Sequence, residues 1–219
     1  MHITTDTLNV LKNFSKINAS ICVTPGHELK TISSSRTVLA RAEVDTEFPN
    51  PFAIYNIDRF ISTLSLFTMP TLDFKDRYVE ISDGNKKSNY VYADESTLKK
   101  APDKTISLPS VDASFELPYD QFKEVEKAAG ILTLPEIAIN GDGSTIHLQA
   151  IDSKNPSGDI YSIEIGETNQ EFNALFKLEN INKIFPGLTY KVSISSKGIS
   201  EFSSDSINYW IAVEHNSTF

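Results

Sequence analysis

A single cysteine stands among 219 residues, so no internal disulfide can form. Cys22 sits in the apolar run Ile21-Cys22-Val23, where a small buried side chain is expected rather than a reactive thiol. Long apolar runs are also missing, and nothing approaches the roughly 18 residues that a membrane-spanning helix needs. The opening Met1-His2-Ile3-Thr4-Thr5-Asp6 has no basic stretch leading into an apolar one, so a cytoplasmic protein without membrane contact is expected. Positive charge is scarce: 20 Lys and Arg face 29 Asp and Glu, for a net charge of −9. A surface basic all over is excluded, and any contact with nucleic acid must come from a local concentration of cations.

Catalytic signatures are missing as well. There is no phosphate-cradling glycine loop followed by Lys-Ser or Lys-Thr, no Gly-x-Ser-x-Gly and no His-Glu-x-x-His. The four histidines are scattered, and His147 alternates with Ile146 and Leu148 as an exposed strand residue would. Pairs of carboxylates suited to glycoside hydrolysis cannot be placed by sequence spacing. The chain therefore reads as a non-enzyme without metal or cofactor.

What is present is duplication. Ala53-Ile54-Tyr55-Asn56-Ile57-Asp58-Arg59-Phe60 returns in chemical type as Ala174-Leu175-Phe176-Lys177-Leu178-Glu179-Asn180-Ile181, 121 residues on. Five of the eight pairs are apolar for apolar and one is acid for acid, and the period is far longer than the roughly 20 to 50 residues of solenoid units. Two similar domains follow, and a content of 40% apolar and 22% charged residues suits both to globular cores.

Periodicity fills in the halves. Leu8, Val10, Leu11, Phe14 and Ile17 mark one face of a helix over residues 5 to 17. Alternating segments over 19 to 24 and 29 to 44 flank Pro25-Gly26-His27, which reads as a hairpin. A strand over 52 to 55 leads to Asn56, a cap for a helix over 57 to 67 that stops before Pro70. Short strands follow to Ala93. The second half repeats the order: a helix from Pro118 to about Ala129 ending at Gly130, strands around Gly141-Asp142-Gly143, strands over 160 to 165 and 172 to 176, a helix over 178 to 185, and three strands. This is an α+β fold of two similar domains, 1–95 and 113–219, each a β-sheet with two helices on one face. Residues 96–112, with Pro102, Pro109 and three lysines, read as an extended connector.

The polar faces of these helices carry cations. Lys12 and Lys16 are four apart on the first helix, and Lys123 and Lys127 repeat that spacing on its counterpart. Arg59 and Lys183 project from the polar sides of the second helices, and Lys177 starts one of them. Asp58, Asp120, Glu124 and Glu179 share these faces, which suits loose contact with a phosphate backbone and no base reading.

Three stretches carry a resemblance. Thr7 to Asn18, Phe52 to Phe60 with Leu64-Ser65-Leu66, and the ending Asn208-Tyr209-Trp210-Ile211-Ala212-Val213-Glu214 to Phe219 resemble the sliding clamps of T4-like bacteriophages, in order and over the whole length. The resemblance implies a homotrimeric ring around duplex DNA, a processivity factor that tethers the replicative DNA polymerase. It also implies loading by a clamp-loader ATPase and a partnership with late-transcription factors. On it, Lys12, Lys16, Arg59, Lys123, Lys127, Lys177 and Lys183 face the DNA, with Asn180 in place of a second Arg59. Subunits would join head to tail between edge strands, with Tyr90, Val91 and Tyr92 against Ile160, Tyr161 and Ile163. Ile106, Leu108 and Val111 would flank a pocket for partner peptides. The alternative is a non-catalytic trimeric β-rich structural or assembly protein of a virion, in which the helix-face lysines would be decoration.

Overall fold

The computed structural model describes residues 1–104 and 106–219, which form two compact units, Met1–Asp103 and Lys104–Phe219. In the first unit the order is α1 (Thr5–Phe14), β1 (Ile21–Val23), β2 (Gly26–Ile32), β3 (Val38–Phe48), β4 (Phe52–Ile54), α2 (Ile57–Leu64), β5 (Thr71–Phe74), β6 (Tyr78–Asp83) and β7 (Lys86–Val91). The second unit adds a leading strand, β8 (Ala113–Pro118). It then repeats the series as α3 (Tyr119–Leu132), β9 (Glu136–Asp142), β10 (Thr145–Ile151), β11 (Tyr161–Glu167), β12 (Glu171–Lys177), α4 (Leu178–Ile181), β13 (Thr189–Ser195), β14 (Ile199–Ser203) and β15 (Ile207–Ala212).

The repeat holds at the level of register. Ile54 of β4 pairs with Ile21 of β1, and Leu175, 121 positions on, pairs with Ala138 of β9. The helices α2 and α4 start at Ile57 and Leu178, the same offset apart. In the first unit β5, β6 and β7 form an antiparallel meander, β2 pairs with β3 and β1 with β4. In the second, the strand orders are β11-β10-β9-β12 and β15-β14-β13-β8. Helix α1 packs on β3 and α2 through Leu11 and Phe14, while α3 packs on β10 and β11 through Phe122, Val125 and Ala129.

Several local expectations need correction. Pro25-Gly26-His27 is not a hairpin: β1 pairs with β4, and Gly26, at φ +110°, bends the chain into β2. The hairpin lies instead at residues 33–37, inside what reads as one alternating segment. There the Ser33 hydroxyl accepts from the amides of Thr37 (3.1 Å) and Val38 (3.0 Å), and Arg36 takes a left-handed φ of 62°. No glycine or proline marks that turn, because a hydroxyl supplies what a turn residue would. Helix α1 stops at Phe14 and α2 at Leu64, each three residues short of the reading, as main-chain bonds tighten over the final turn. The opposite happens in α3, which runs through Gly130 to Leu132 and ends at Thr133 in the left-handed conformation (φ 57°). Helix α4 has four residues and does not reach Phe185.

Asn56 does cap α2, its side-chain oxygen accepting from the Arg59 amide at 2.8 Å. The core of the second unit is aromatic: Tyr190 meets Phe202 and Tyr209 edge to face, with the Tyr190 hydroxyl donating to the Phe185 carbonyl at 2.7 Å.

Candidate nucleic-acid interface and subunit edges

The expected cations do not share one kind of setting. Lys123 and Lys127 are exposed on a regular stretch of the 14-residue α3, so their side chains leave the same helix face about one turn apart. Lys12 is exposed on α1, but Lys16 lies beyond the end of that helix, in the turn over residues 15–17. The four-apart pair of the first unit is therefore not a helical pair. Arg59 is exposed in the first turn of α2, whereas Asn180 at the repeat position is 94% buried in α4. Lys177 is the N-cap residue of α4 and lies 3.9 Å from Glu214, and Lys183, past the end of that helix, is half-buried. Sparse positive charge on α1, α2 and α3 is the outcome, with the α4 region the weakest contributor.

Nearby carboxylates thin that charge further. Asp58, Asp120 and Glu179 are exposed in the first turns of their helices, where a negative charge favours the helix dipole. Glu124 is engaged elsewhere: it accepts a hydrogen bond from the hydroxyl of Tyr161 on β11. That bond holds the Tyr161 phenol above its ordinary pKa, because losing the proton would set two negative charges against each other.

Strands β7 and β11 are both sheet edges. In β7, Val91 points outward and is 70% exposed, while Tyr90 turns in, its ring meeting Phe60 of α2 edge to face at 5.1 Å. The Tyr90 hydroxyl donates to the Asn56 carbonyl at 3.1 Å. Tyr92 packs on Phe52, and burial pushes its phenol up to about 12. Of the second group, Ile160 is 59% exposed just before β11, and Tyr161 and Ile163 are half-buried. The six residues thus divide. Val91 and Ile160 offer free apolar surface, and the three tyrosines fasten their strands to their own units.

The connector residues differ in exposure. Ile106 and Leu108 are half-buried and Val111 is 58% exposed. Asp112 anchors the far end of the connector, accepting from the Ser110 hydroxyl (2.6 Å) and the Ser196 amide (2.8 Å). Both bonds hold its carboxyl below the usual range. A cleft of about 570 Å³ beside β7 is lined by Phe52, Ala53, Arg77, Val91, Tyr92 and others, and by none of the three. Exposed apolar residues that periodicity does not single out include Tyr55, Leu66, Met69 and Ile131. Ile131 stands two residues past Ala129, off the buried stripe of α3, and that offset was its only signal. Among the described residues no group of His, Cys, Asp or Glu could hold a metal ion, and no helix is long and apolar enough to cross a membrane.

Two similar α+β units, with helices bearing sparse cations, are the fold of the DNA sliding clamps. The A. fulgidus PCNA structure with the C-terminal region of FEN-1 bound matches with a TM-score of 0.70 over 94% of each chain, at 11% identity. Sequence carries the assignment closer. Residues 114–215 match the family described as gp45 sliding clamp, C terminal. The chain is 34% identical to the sliding clamp of Vibrio phage KVP40, with 98% of this chain and 99% of that one covered. Identity to the sliding clamp of Escherichia phage RB69 is 28%, over 100% and 99% of the two chains. The chain belongs to the sliding-clamp family of T4-like phages, DNA clamps that serve as processivity factors in phage replication.

Proposed function

We propose that the chain works as a homotrimeric ring that encircles duplex DNA and tethers the replicative polymerase, acting in the host cytoplasm. The observation that carries this reading is the pairing of a cation-bearing α3 face, Lys123 and Lys127, with two open sheet edges, β7 and β11. A head-to-tail contact between β7 of one copy and β11 of the next is heterologous, and it closes when the rotation per subunit suits a ring. Val91 and Ile160 supply apolar contact at that seam, with Ile163 behind them, while Tyr90, Tyr92 and Tyr161 set the strands.

Lys12, Lys16, Arg59, Lys123 and Lys127 are the main phosphate contacts, with Lys177 and Lys183 secondary. Duplex DNA presents one charge about every 1.7 Å along its axis, so a few cations meet a nearly uniform field and hold no preferred register. Topological linkage then retains the ring without tight binding. The negative remainder of the chain keeps DNA from the outer surface. A clamp-loader ATPase opens the ring, and Ile106, Leu108 and Val111 contribute to docking the apolar peptides of the polymerase and of late-transcription factors.

The test is assembly mass in solution together with polymerase processivity on a circular template. A trimer whose stimulation needs loader and ATP is expected. A monomer that stimulates polymerase on linear DNA without a loader would overturn the reading.

A further inference from the structure

The outer edges of the two sheets are closed unequally. In the β5-β6-β7 sheet, the far edge β5 is covered by Met1: its nitrogen donates to the Leu72 carbonyl at 2.7 Å and the Leu72 amide donates to the Met1 carbonyl at 2.8 Å. In the β11-β10-β9-β12 sheet, the far edge β12 is covered by Thr218. Its amide donates to the Asn173 carbonyl at 3.0 Å, and the Asn173 amide donates to its carbonyl at 2.8 Å. Two residues along β12, the Leu175 amide donates to the Ser217 hydroxyl at 2.9 Å and the Leu175 carbonyl accepts from the Glu214 amide at 2.8 Å. Phe219 is then stacked on Phe172, rings 6.4 Å apart and 8° from parallel.

Neither cover is a regular strand. Each nevertheless occupies outward-facing main-chain groups that would otherwise be a template for another chain. Among the described residues no strand pairs with the outer side of β7 or β11. In each of these two sheets, one edge is covered and the other is unpaired among the described residues.

We propose that the Met1 and Thr218 bridges are edge guards, closing β5 and β12 against pairing with another copy and leaving β7 and β11 as the open edges of these two sheets. The inference rests on the ring reading above. A further open edge lets copies join in a second direction and grow without closing.

The test removes the guard on β12. One variant lacks Ser217–Phe219, and a second, Thr218→Pro, loses only the amide that bonds to Asn173 and keeps the rest of the segment. Sedimentation velocity over a range of concentrations gives the size distribution, and circular dichroism reports folding. Wild type should show one assembled species, and both variants should add larger species whose share rises with concentration. Adding Asn173→Pro to the truncated chain removes one of the two amide donors that the truncation frees on β12, the other being that of Leu175, and proline is tolerated where the lost amide faces outward from an edge. That addition should lower the share of the larger species. Folded variants that keep the wild-type size overturn the proposal, as does aggregation that Asn173→Pro leaves unchanged. A monomeric wild type whose truncated form self-associates would retain the guard and remove the ring reading. A wild-type ring unmoved by either variant does the reverse.

Discussion

The hydroxyl of Tyr161, at the start of the open edge strand β11, donates to the carboxylate of Glu124 on α3, the helix that carries Lys123 and Lys127. The first unit has a counterpart in Tyr90, whose hydroxyl bonds to the Asn56 carbonyl at the start of α2. Each open edge is therefore tied by a tyrosine to a helix with a candidate DNA-facing cation.

Tyr161→Phe keeps the ring and removes the bond. Subunit association should weaken about 3- to 10-fold, the range expected for one partly solvated hydrogen bond. Sedimentation equilibrium measures it, with thermal melting as the control. An unchanged association constant beside a lowered melting midpoint would assign the bond to the fold of the second unit alone.

Charge reversal should expose the unequal helices. Lys123→Glu with Lys127→Glu should shorten retention on circular DNA and flatten its salt dependence, by about 0.9 in the logarithmic slope for each phosphate no longer neutralised. Lys177→Glu with Lys183→Glu should do less, since Lys177 already neighbours Glu214. Equal losses from the two pairs would contradict the ranking.

Acid should destabilise the second unit through Asp142 and Asp112. The amides of Ser144 and Thr145 and the Ser144 hydroxyl hold Asp142 far below its usual range, and Ser110 and Ser196 lower Asp112. A carboxyl depressed on folding contributes stability that is complete above its unfolded pKa, near about 3.9, and is lost as pH falls through the folded value. Urea midpoints should thus stay level from neutral pH to about 5 and then decline below about 4. Asp142→Asn should flatten that decline, and an identical slope would count against the assignment.

Asn56→Ala should cost about 1 kcal/mol, the usual worth of a helix cap, while Asn56→Asp should retain most of it. Chemical denaturation followed by far-ultraviolet dichroism gives the difference. A loss in both variants alike would mean that the amide group, rather than the capping oxygen, is what matters.

Legibility in the sequence followed the signals each element carries. Helix α2 was readable because Asn56 opens it and Ile57, Phe60 and Leu64 keep its period. The turn at Ser33 was not, because a hydroxyl and a left-handed Arg36 replaced the glycine or proline that usually mark such a place. Gly130 misled in the other direction, since α3 is held by its buried stripe and absorbs one glycine. Strand β8 alternates at Ala113, Phe115 and Leu117 and then meets Pro118, leaving too short a run to separate from the connector. The cations could be named from their spacing. The burial of Asn180 and the bond between Tyr161 and Glu124, 37 residues apart, depend on tertiary packing that no local pattern encodes.

Cys22 lies opposite Ala53 in the short β1-β4 ladder, half-buried, and burial raises its thiol pKa. Alkylation needs the thiolate, so the raised pKa should slow the reaction at neutral pH although the half-buried sulfur stays partly accessible. The lone sulfur is thus a built-in reporter on the first unit: loss of the β1-β4 ladder should raise its labelling above the native rate, without an engineered probe.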